Sequence, residues 1–190
     1  MELECNGLLT YDRVMKPDVD KIRASNQKAI YRKLALSTLL PTSQKQSRSW
    51  KFTTISPAPN WFAVDFDDSA WSSGPGGFGG PTPWRTSDIW LRQEFDLGGL
   101  GADDLQNLAF TCCHDEDCEI YLNGVLASRA PGCTTTYVLI AMNEEARRVL
   151  HPNGKNLIAV HCHQTEGGQF IDVGISKRVI TDDSAAPRKR

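Results

Sequence analysis

Residues 112–118, CCHDEDC, hold three cysteines, a histidine and three carboxylates within seven positions, which suggests a metal or redox centre. A zinc site needs about four Cys or His ligands that converge on one point. Neighbouring residues of a strand point to opposite faces, so Cys112 and Cys113 cannot both join one site. The same divergence argues against Cys113 and His114 as a nucleophile and its base.

The pattern therefore favours a packing role for these cysteines. We predict that Cys112 and Cys118 face inward as small apolar side chains, since buried cysteine is common. A cross-strand disulfide between them is the main alternative. A structural zinc bound by a cysteine with His161 or His163 is a further alternative.

Two clusters of carboxylates could supply the hard oxygen ligands that calcium prefers. They are Asp65, Asp67 and Asp68 in VDFDDSAW, and Asp115, Glu116 and Asp117 in the CCHDEDC segment. Neither cluster matches an EF-hand loop. Capping of a turn by Asp67 or Asp68, leading into a short helical turn at SAW, is the simpler interpretation. We expect no cofactor, with a structural calcium ion as the main alternative.

Glycoside hydrolysis would require two carboxylates that flank a cleft, one of them with a raised pKa. The candidates are Asp88, Asp115, Asp117, Glu166 and Asp172. Their turn positions predict solvated groups, so we expect no active site within this chain alone. A hydrolase activity would belong to a larger enzyme of which the chain is a part.

Size and charge limit the possible partners. The 190 residues suffice for one domain with appendages, and the formal net charge of -2 provides no basic field for nucleic acid. No apolar run is long enough to span a bilayer, and the N-terminus lacks the features of a signal peptide. We expect either a cytoplasmic protein or a piece of a longer, exported or cell-envelope protein.

The composition predicts three regions. Residues 1–47 form a helical extension and linker, with one amphipathic helix in 18–36 and a polar linker around Pro41. Residues 48–180 contain the short alternating or apolar runs that are typical of a β-sandwich, and residues 181–190 are predicted to be a flexible tail.

Eight strand-sized runs between residues 50 and 180 predict a sandwich or jelly roll. They are WKFTT, IWLRQEFDL, NLAFTCC, CEIYLNG, VLAS, YVLIAM, NLIAVHCH and FIDVGISK. NEEARRVL predicts a helical turn, and residues 72–84 predict a long surface loop because they are rich in Gly and Pro. Asn123-Gly124 predicts a type I′ turn, in which both residues have positive φ.

Matching of apolar residues predicts the register of two hairpins. In the first, Cys112 faces Cys118 and Phe110 faces Ile120. In the second, His161 faces Asp172 as a structural cross-strand pair.

The direction of the chain through these strands places three polar loops at one rim of the sandwich. Such a rim is the usual place for a binding site on a rigid scaffold. The candidate ligand-binding residues on it are Trp84, Arg85, Asp88, Asp115, Asp117, His163, Gln164 and Gln169. Trp84 is expected to be exposed and to stack on a sugar, whereas most of the other tryptophans are expected in the core.

The order of W-x-F, NWFAVDFDDSAWSSGPGGFG, WRTSDIWLRQEFDL, HDEDCEIYLNGVLA and LHPNGKNLIAV resembles the galactose-binding-like β-jelly roll. It is most similar to the sugar-binding domain of family 2 glycoside hydrolases and to accessory modules of secreted bacterial hydrolases. The resemblance covers about residues 50–180.

The resemblance implies an all-β jelly-roll sandwich that is non-catalytic and that binds carbohydrate or packs beside a catalytic domain. A protein-interaction module without a sugar site, or a fragment of a hydrolase, is the alternative that it leaves open.

Overall fold

The computed structural model describes residues 32–182 of the chain. Their strands are arranged in two antiparallel sheets, which confirms the predicted all-β sandwich. The strands are β1 Arg32–Leu40, β2 Ser49–Thr53, β3 Ser72–Pro75, β4 Asp88–Asp96, β5 Leu108–Asp115, β6 Asp117–Leu122, β7 Val125–Ala130, β8 Val138–Ala141, β9 Lys155–His163 and β10 Phe170–Asp182. Two short helices, α1 Ala102–Gln106 and α2 Glu144–Arg148, lie between strands.

One sheet has four strands in the order β1-β10-β5-β8, and the other has six in the order β3-β2-β4-β9-β6-β7. Contacts divide the chain into two units, Leu36–Arg178 and a second made of Met1–Ala35 and Val179–Arg190. Of the second unit, only the ends of β1 and β10 are described. Among the described residues no helix is long and apolar enough to cross a membrane.

The apolar interior of the larger unit comes from alternate residues of the strands. Ile89, Leu91 and Phe95 of β4 are buried, as are Ile120 and Leu122 of β6. Alternation of this kind leaves the residues between them on the outer face of the sheet. The eight strands predicted from the sequence are all present.

Both predicted hairpin registers are wrong, because each pair of strands is divided between the two sheets. β5 pairs with β10 and β8, whereas β6 pairs with β9 and β7. His161 consequently lies opposite Trp90 rather than Asp172. Apolar residues meet across the interior of a sandwich as well as along one sheet, so their matching could not distinguish the two arrangements.

The cysteine prediction is confirmed in its main form. Cys112 and Cys118 are both buried in the core, and all five cysteines of the described region are free. A contact with Cys112 and burial raise the pKa of the Cys118 thiol. The Cys118 thiol is therefore a poor nucleophile.

The predictions for residues 18–36 and for residues 72–84 need correction. The helix predicted in 18–36 lies mostly outside the described residues, but its last residues belong to β1, which adds a strand beside β10. The loop predicted over 72–84 contains β3, and its Phe78 is buried. Pairing with β2 overrides the Gly and Pro content there. The predicted tail lies outside the described residues from 183 onward.

Local turn chemistry was predicted correctly. Asn123 and Gly124 have φ values of 46° and 87°, as a type I′ turn requires. The helical turn at NEEARRVL is α2, and the side chain of Asn143 caps it by accepting the N–H of Ala146 at 2.8 Å.

Arg92 holds the loop between β2 and β3 against the outer face of the six-stranded sheet. Its buried guanidinium donates to Asp68 at 2.7 Å and to the carbonyl oxygens of Trp61 and Ala63 at 2.5 and 2.9 Å. It also lies 5.3 Å from the ring centroid of Phe66. Because the guanidinium is 3% exposed, these acceptors replace the water that it loses.

We expect Arg92→Met to lower the free energy of unfolding by about 3 kcal/mol, since it leaves Asp68 and several carbonyl groups without their donor. Urea denaturation would measure the change. Arg148→Met is the matched control, because Arg148 pairs only with Glu144 on the exposed face of α2 and should change stability by about 0.5 kcal/mol or less. Equal effects of the two substitutions would contradict the role given to Arg92.

Candidate functional site

The three polar loops predicted to share one rim do so. The backbone N–H of Gln164 donates to the carbonyl of Ser87 at 2.7 Å, which ties the end of β9 to the start of β4. The side chain of Gln169 donates to the carbonyl of Thr86. Glu116, between β5 and β6, accepts from both the backbone and the hydroxyl of Thr165. The rim is therefore a bonded assembly of loops.

The prediction that Trp84 is exposed is wrong. Trp84 is only 4% exposed, and its indole N–H donates to the hydroxyl of Thr86 and to the carbonyl of Asp88. A ring held in this way braces the loop before β4 and has no free face for a sugar. The Gly and Pro residues around it suggested a surface position that the tertiary packing overrides.

The other rim residues differ in their freedom to meet a ligand. Arg85 is exposed, Gln164 and Gln169 are partly buried, and Asp115 is half-buried at the end of β5. Asp117 is exposed, and one of its oxygens accepts the N–H of Gly132 at 2.8 Å.

Below the rim, the register of β4, β9 and β6 brings outward side chains into two rows across the six-stranded sheet. Asp88, His163 and Asp117 form the first row. Trp90, His161 and Glu119 form the second. We call these six residues the outer-face site. Three of them (Asp88, Asp117 and His163) were predicted from the sequence, whereas the other three were not.

Asp88 is the centre of this site. Its Oδ1 atom lies 2.9 Å from Nε2 of His161 and 2.8 Å from Nδ1 of His163. Its Oδ2 atom accepts the hydroxyl of Ser87 at 3.0 Å. Partial burial alone would raise the pKa of Asp88, but the hydrogen bonds from His163, His161 and Ser87 outweigh it and hold the pKa below its ordinary value. Asp88 is thus ionised at neutral pH.

Aromatic rings extend the site along the sheet. The imidazole of His161 stacks on Trp90, with ring centroids 4.8 Å apart and planes inclined by 12°. Trp90 remains partly exposed. On the other side His161 meets the edge of Trp61, at 6.4 Å between centroids, so the loop held by Arg92 forms one wall of the site.

Glu119 closes the second row and is itself engaged. Its carboxylate contacts Arg129 at 3.0 Å and accepts the hydroxyl of Tyr121 at 2.9 Å. Burial and the neighbouring carboxylate raise the pKa of Tyr121 to about 12. Tyr121 therefore stays a neutral donor to Glu119 at physiological pH.

Two clefts on this sheet lie away from the outer-face site. One, of about 330 Å³, lies between the β2–β3 loop and the start of β9 and is bordered by Phe66, Asn123 and Lys155. The other, of about 440 Å³, is bordered by Arg48, Ser73 and Gln93. Neither contains a residue predicted for ligand binding.

Two carboxylates of the first predicted calcium cluster, Asp67 and Asp68, are engaged in other ways. Asp67 accepts the N–H of Ser69 at 2.9 Å, as the predicted turn requires, and Asp68 is bound to Arg92. Within residues 32–182, no three side chains of His, Cys, Asp or Glu are grouped so that they could hold a metal ion. A calcium site at Asp65, Asp67 and Asp68 stays a prediction that would require these side chains to rearrange.

Three of the five carboxylates considered for hydrolysis accept hydrogen bonds, namely Asp88, Asp117 and Asp172. Asp172 is buried and accepts from the backbone and hydroxyl of Ser43 and from the hydroxyl of Tyr137, at 2.6 to 2.8 Å. The pKa of Asp88 is lowered, as is that of the neighbouring Glu116, which was not among these candidates. A general acid needs the opposite, a raised pKa.

No protein-family model matches the sequence, and no curated protein matches it. Solved structures resemble it in fold. A β-glucuronidase from Bacteroides uniformis aligns with 77% of this chain and 18% of its own, at 18% identity and a TM-score of 0.53. Bacteroides uniformis β-glucuronidase 2, bound covalently to cyclophellitol-6-carboxylate aziridine, aligns with 76% of this chain and 18% of its own, at 18% identity and a TM-score of 0.51.

The resemblance to these two structures is one of fold. The chain is a β-sandwich domain of the kind that forms part of these β-glucuronidases. It corresponds to 18% of the length of each of them.

We expect Asp88→Asn to lower the free energy of unfolding at pH 7 by about 1 kcal/mol, because a neutral amide accepts more weakly from the two imidazoles. The pKa of Asp88 is lower in the folded state than in the unfolded state, where it is about 3.9. The ionised carboxylate therefore contributes to the free energy of unfolding above the unfolded-state pKa, and this contribution is lost as the pH falls through the folded-state pKa. Urea denaturation of the wild type and of Asp88→Asn at pH 7 and pH 3 would measure the loss of stability and its dependence on pH.

The exposed Asp103→Asn in α1 is the matched control and should have little effect at either pH. A difference between wild type and Asp88→Asn that persists undiminished at pH 3 would contradict the role of the Asp88 charge.

Proposed function

We propose that this chain is a non-catalytic accessory module of a glycoside hydrolase and that it binds carbohydrate at the outer-face site. The proposal joins the predicted resemblance to sugar-binding domains of family 2 glycoside hydrolases with the fold that the chain shares with part of two β-glucuronidases. The jelly-roll topology implied by that resemblance belongs to the same proposal.

The observation that carries it is the combination of a partly exposed indole with polar groups at its side. Trp90 lies on the same face as Asp88 and His163, and all three are accessible below the rim. An aromatic ring gives apolar contact to the C–H face of a sugar, and planar polar groups nearby bond its hydroxyls. In this proposal Trp90 has the stacking role that was predicted for Trp84.

The other rim residues complete the proposed contact. Arg85, Asp117, Gln164 and Gln169 border the loops above Asp88, where a sugar bound to Trp90 would reach them. Asp115 is less accessible, because it lies half-buried at the end of β5.

A non-catalytic role fits the electrostatics of the rim. The pKa values of Asp88 and Glu116 both lie below their ordinary values, so neither carboxyl is suited to protonate a leaving group. In this proposal, catalysis belongs to another part of the hydrolase, as expected for a chain that matches 18% of a β-glucuronidase.

Trp90→Ala should weaken binding of the preferred glycan at least about tenfold, which corresponds to about 1.4 kcal/mol of lost contact. A glycan array would identify that ligand, and isothermal titration calorimetry would measure its affinity. Trp71→Ala is the matched control, because Trp71 is also partly buried but packs on Phe66 in the β2–β3 loop.

Circular dichroism and urea denaturation of both variants would establish that each is folded. Absence of binding to any glycan, or equal affinity of wild type and Trp90→Ala, would refute the carbohydrate assignment.

The edge strand β8 favours a second candidate function, docking onto another protein. β8 lies at the edge of the four-stranded sheet, and its Val138 and Leu139 are 37% and 39% exposed. An exposed apolar edge strand is a template for pairing with another chain. A catalytic domain of the same hydrolase is the partner that fits the accessory role.

Leu139→Lys should then abolish association with that catalytic domain, measured by co-purification from the source organism and analytical ultracentrifugation. Trp90→Ala should leave the association intact. Retention of the complex by Leu139→Lys would refute docking through β8.

A further inference from the structure

The charge on Asp88 determines where the protons of two histidines lie. An ionised carboxylate only accepts hydrogen bonds. Because Oδ1 of Asp88 lies 2.9 Å from Nε2 of His161 and 2.8 Å from Nδ1 of His163, each of these nitrogens must carry a proton. The two histidines are thus held in different tautomers by one oxygen atom.

The tautomer of each histidine determines whether its other ring nitrogen donates or accepts a hydrogen bond. In a neutral imidazole, one nitrogen is a donor and the other an acceptor. Nδ1 of His161 and Nε2 of His163 are therefore acceptors, and neither has a hydrogen-bond partner within residues 32–182. Their side chains are 23% and 44% exposed, so a ligand can reach them.

Most of the charged groups around the two histidines are carboxylates. Asp117 lies across from His163 on β6, and Glu119 lies across from His161. Glu116, in the turn before β6, is also near His163. On the side of β7, Arg129 is occupied by Glu119, and Arg85 is the exposed cation of the rim. The surface of the site is thus dominated by acceptors.

From this geometry we infer that Asp88 makes the outer-face site an array of hydrogen-bond acceptors that selects neutral saccharides through their hydroxyl donors and rejects uronic acids. The inference rests on the proposed carbohydrate function and specifies its ligand class. Asp88 acts as a positioning residue, because it sets the tautomers, while His161 and His163 meet the ligand.

Nitrogen-15 NMR of the histidine side chains tests the tautomers without any ligand. At pH 7.5 we expect the proton of His161 on Nε2 and that of His163 on Nδ1. Asp88→Asn should release at least one ring to the other tautomer, whereas the control Asp103→Asn should leave both unchanged. A proton on Nε2 of His163 in the wild-type protein would overturn the inference.

Calorimetric titration with methyl glycosides of glucose and galactose, and with the corresponding methyl glycosides of glucuronic and galacturonic acid, tests the selectivity. At pH 7.5 we expect the preferred neutral sugar to bind at least about tenfold more tightly than its uronic acid. Asp88→Asn should lower this ratio at pH 7.5, because the neutral amide no longer fixes the tautomers of the two histidines.

The two proposals fail in different ways. Binding of the uronic acid as tightly as the neutral sugar at pH 7.5 would overturn the ligand class and leave the carbohydrate function intact. Absence of all sugar binding, with the expected tautomers present, would overturn the carbohydrate function while supporting the acceptor character of the site.

Discussion

The apolar interior shared by the two sheets is the constraint on which the rest of the structure depends. Successive strands such as β5 and β6, or β9 and β10, turn their inward residues toward the same interior from opposite sheets. Their connections must therefore pass from one sheet to the other over the end of the sandwich. This is why two polar turns and the loop before β4 lie at one rim. The β9–β10 turn bonds to that loop at Thr86 and Ser87, and the β5–β6 turn bonds to the β9–β10 turn at Thr165.

Alternation along the strands gives the outer face its chemistry. Each inward apolar residue places its neighbours outward, and the registers of β4, β9 and β6 align these neighbours in rows. Arg92 fastens a loop over the rows further from the rim, where Ala159 is buried. The rows nearest the rim stay accessible, so Asp88 and its two histidines meet solvent beside Trp90.

The fold says less about what this chain binds than the side chains of the outer-face site do. A sandwich of this kind forms 18% of a β-glucuronidase, but fold alone does not specify what a surface binds. The distinctive feature of this chain is a single carboxylate oxygen shared by two imidazoles. Such an arrangement orients the hydrogen-bond donors of both rings toward one oxygen atom.

Elements with a local cause could be predicted from the sequence. Strand runs follow from alternation, the Asn123-Gly124 turn from the positive φ of both residues, and the inward cysteines from the opposite directions of neighbouring side chains. The sequence also predicted the common rim, because the direction of the chain reverses at each connection.

The pairing of the strands and the accessibility of the aromatic rings depend on contacts between residues that are distant in sequence. Apolar residues satisfy each other across a sandwich as readily as along a sheet, so the sequence could not assign β5 and β6 to different sheets. For the same reason it placed His161 opposite Asp172, and not beside Asp88 and Trp90. Burial of Trp84 depends on loops distant in sequence, whose packing no local pattern contains.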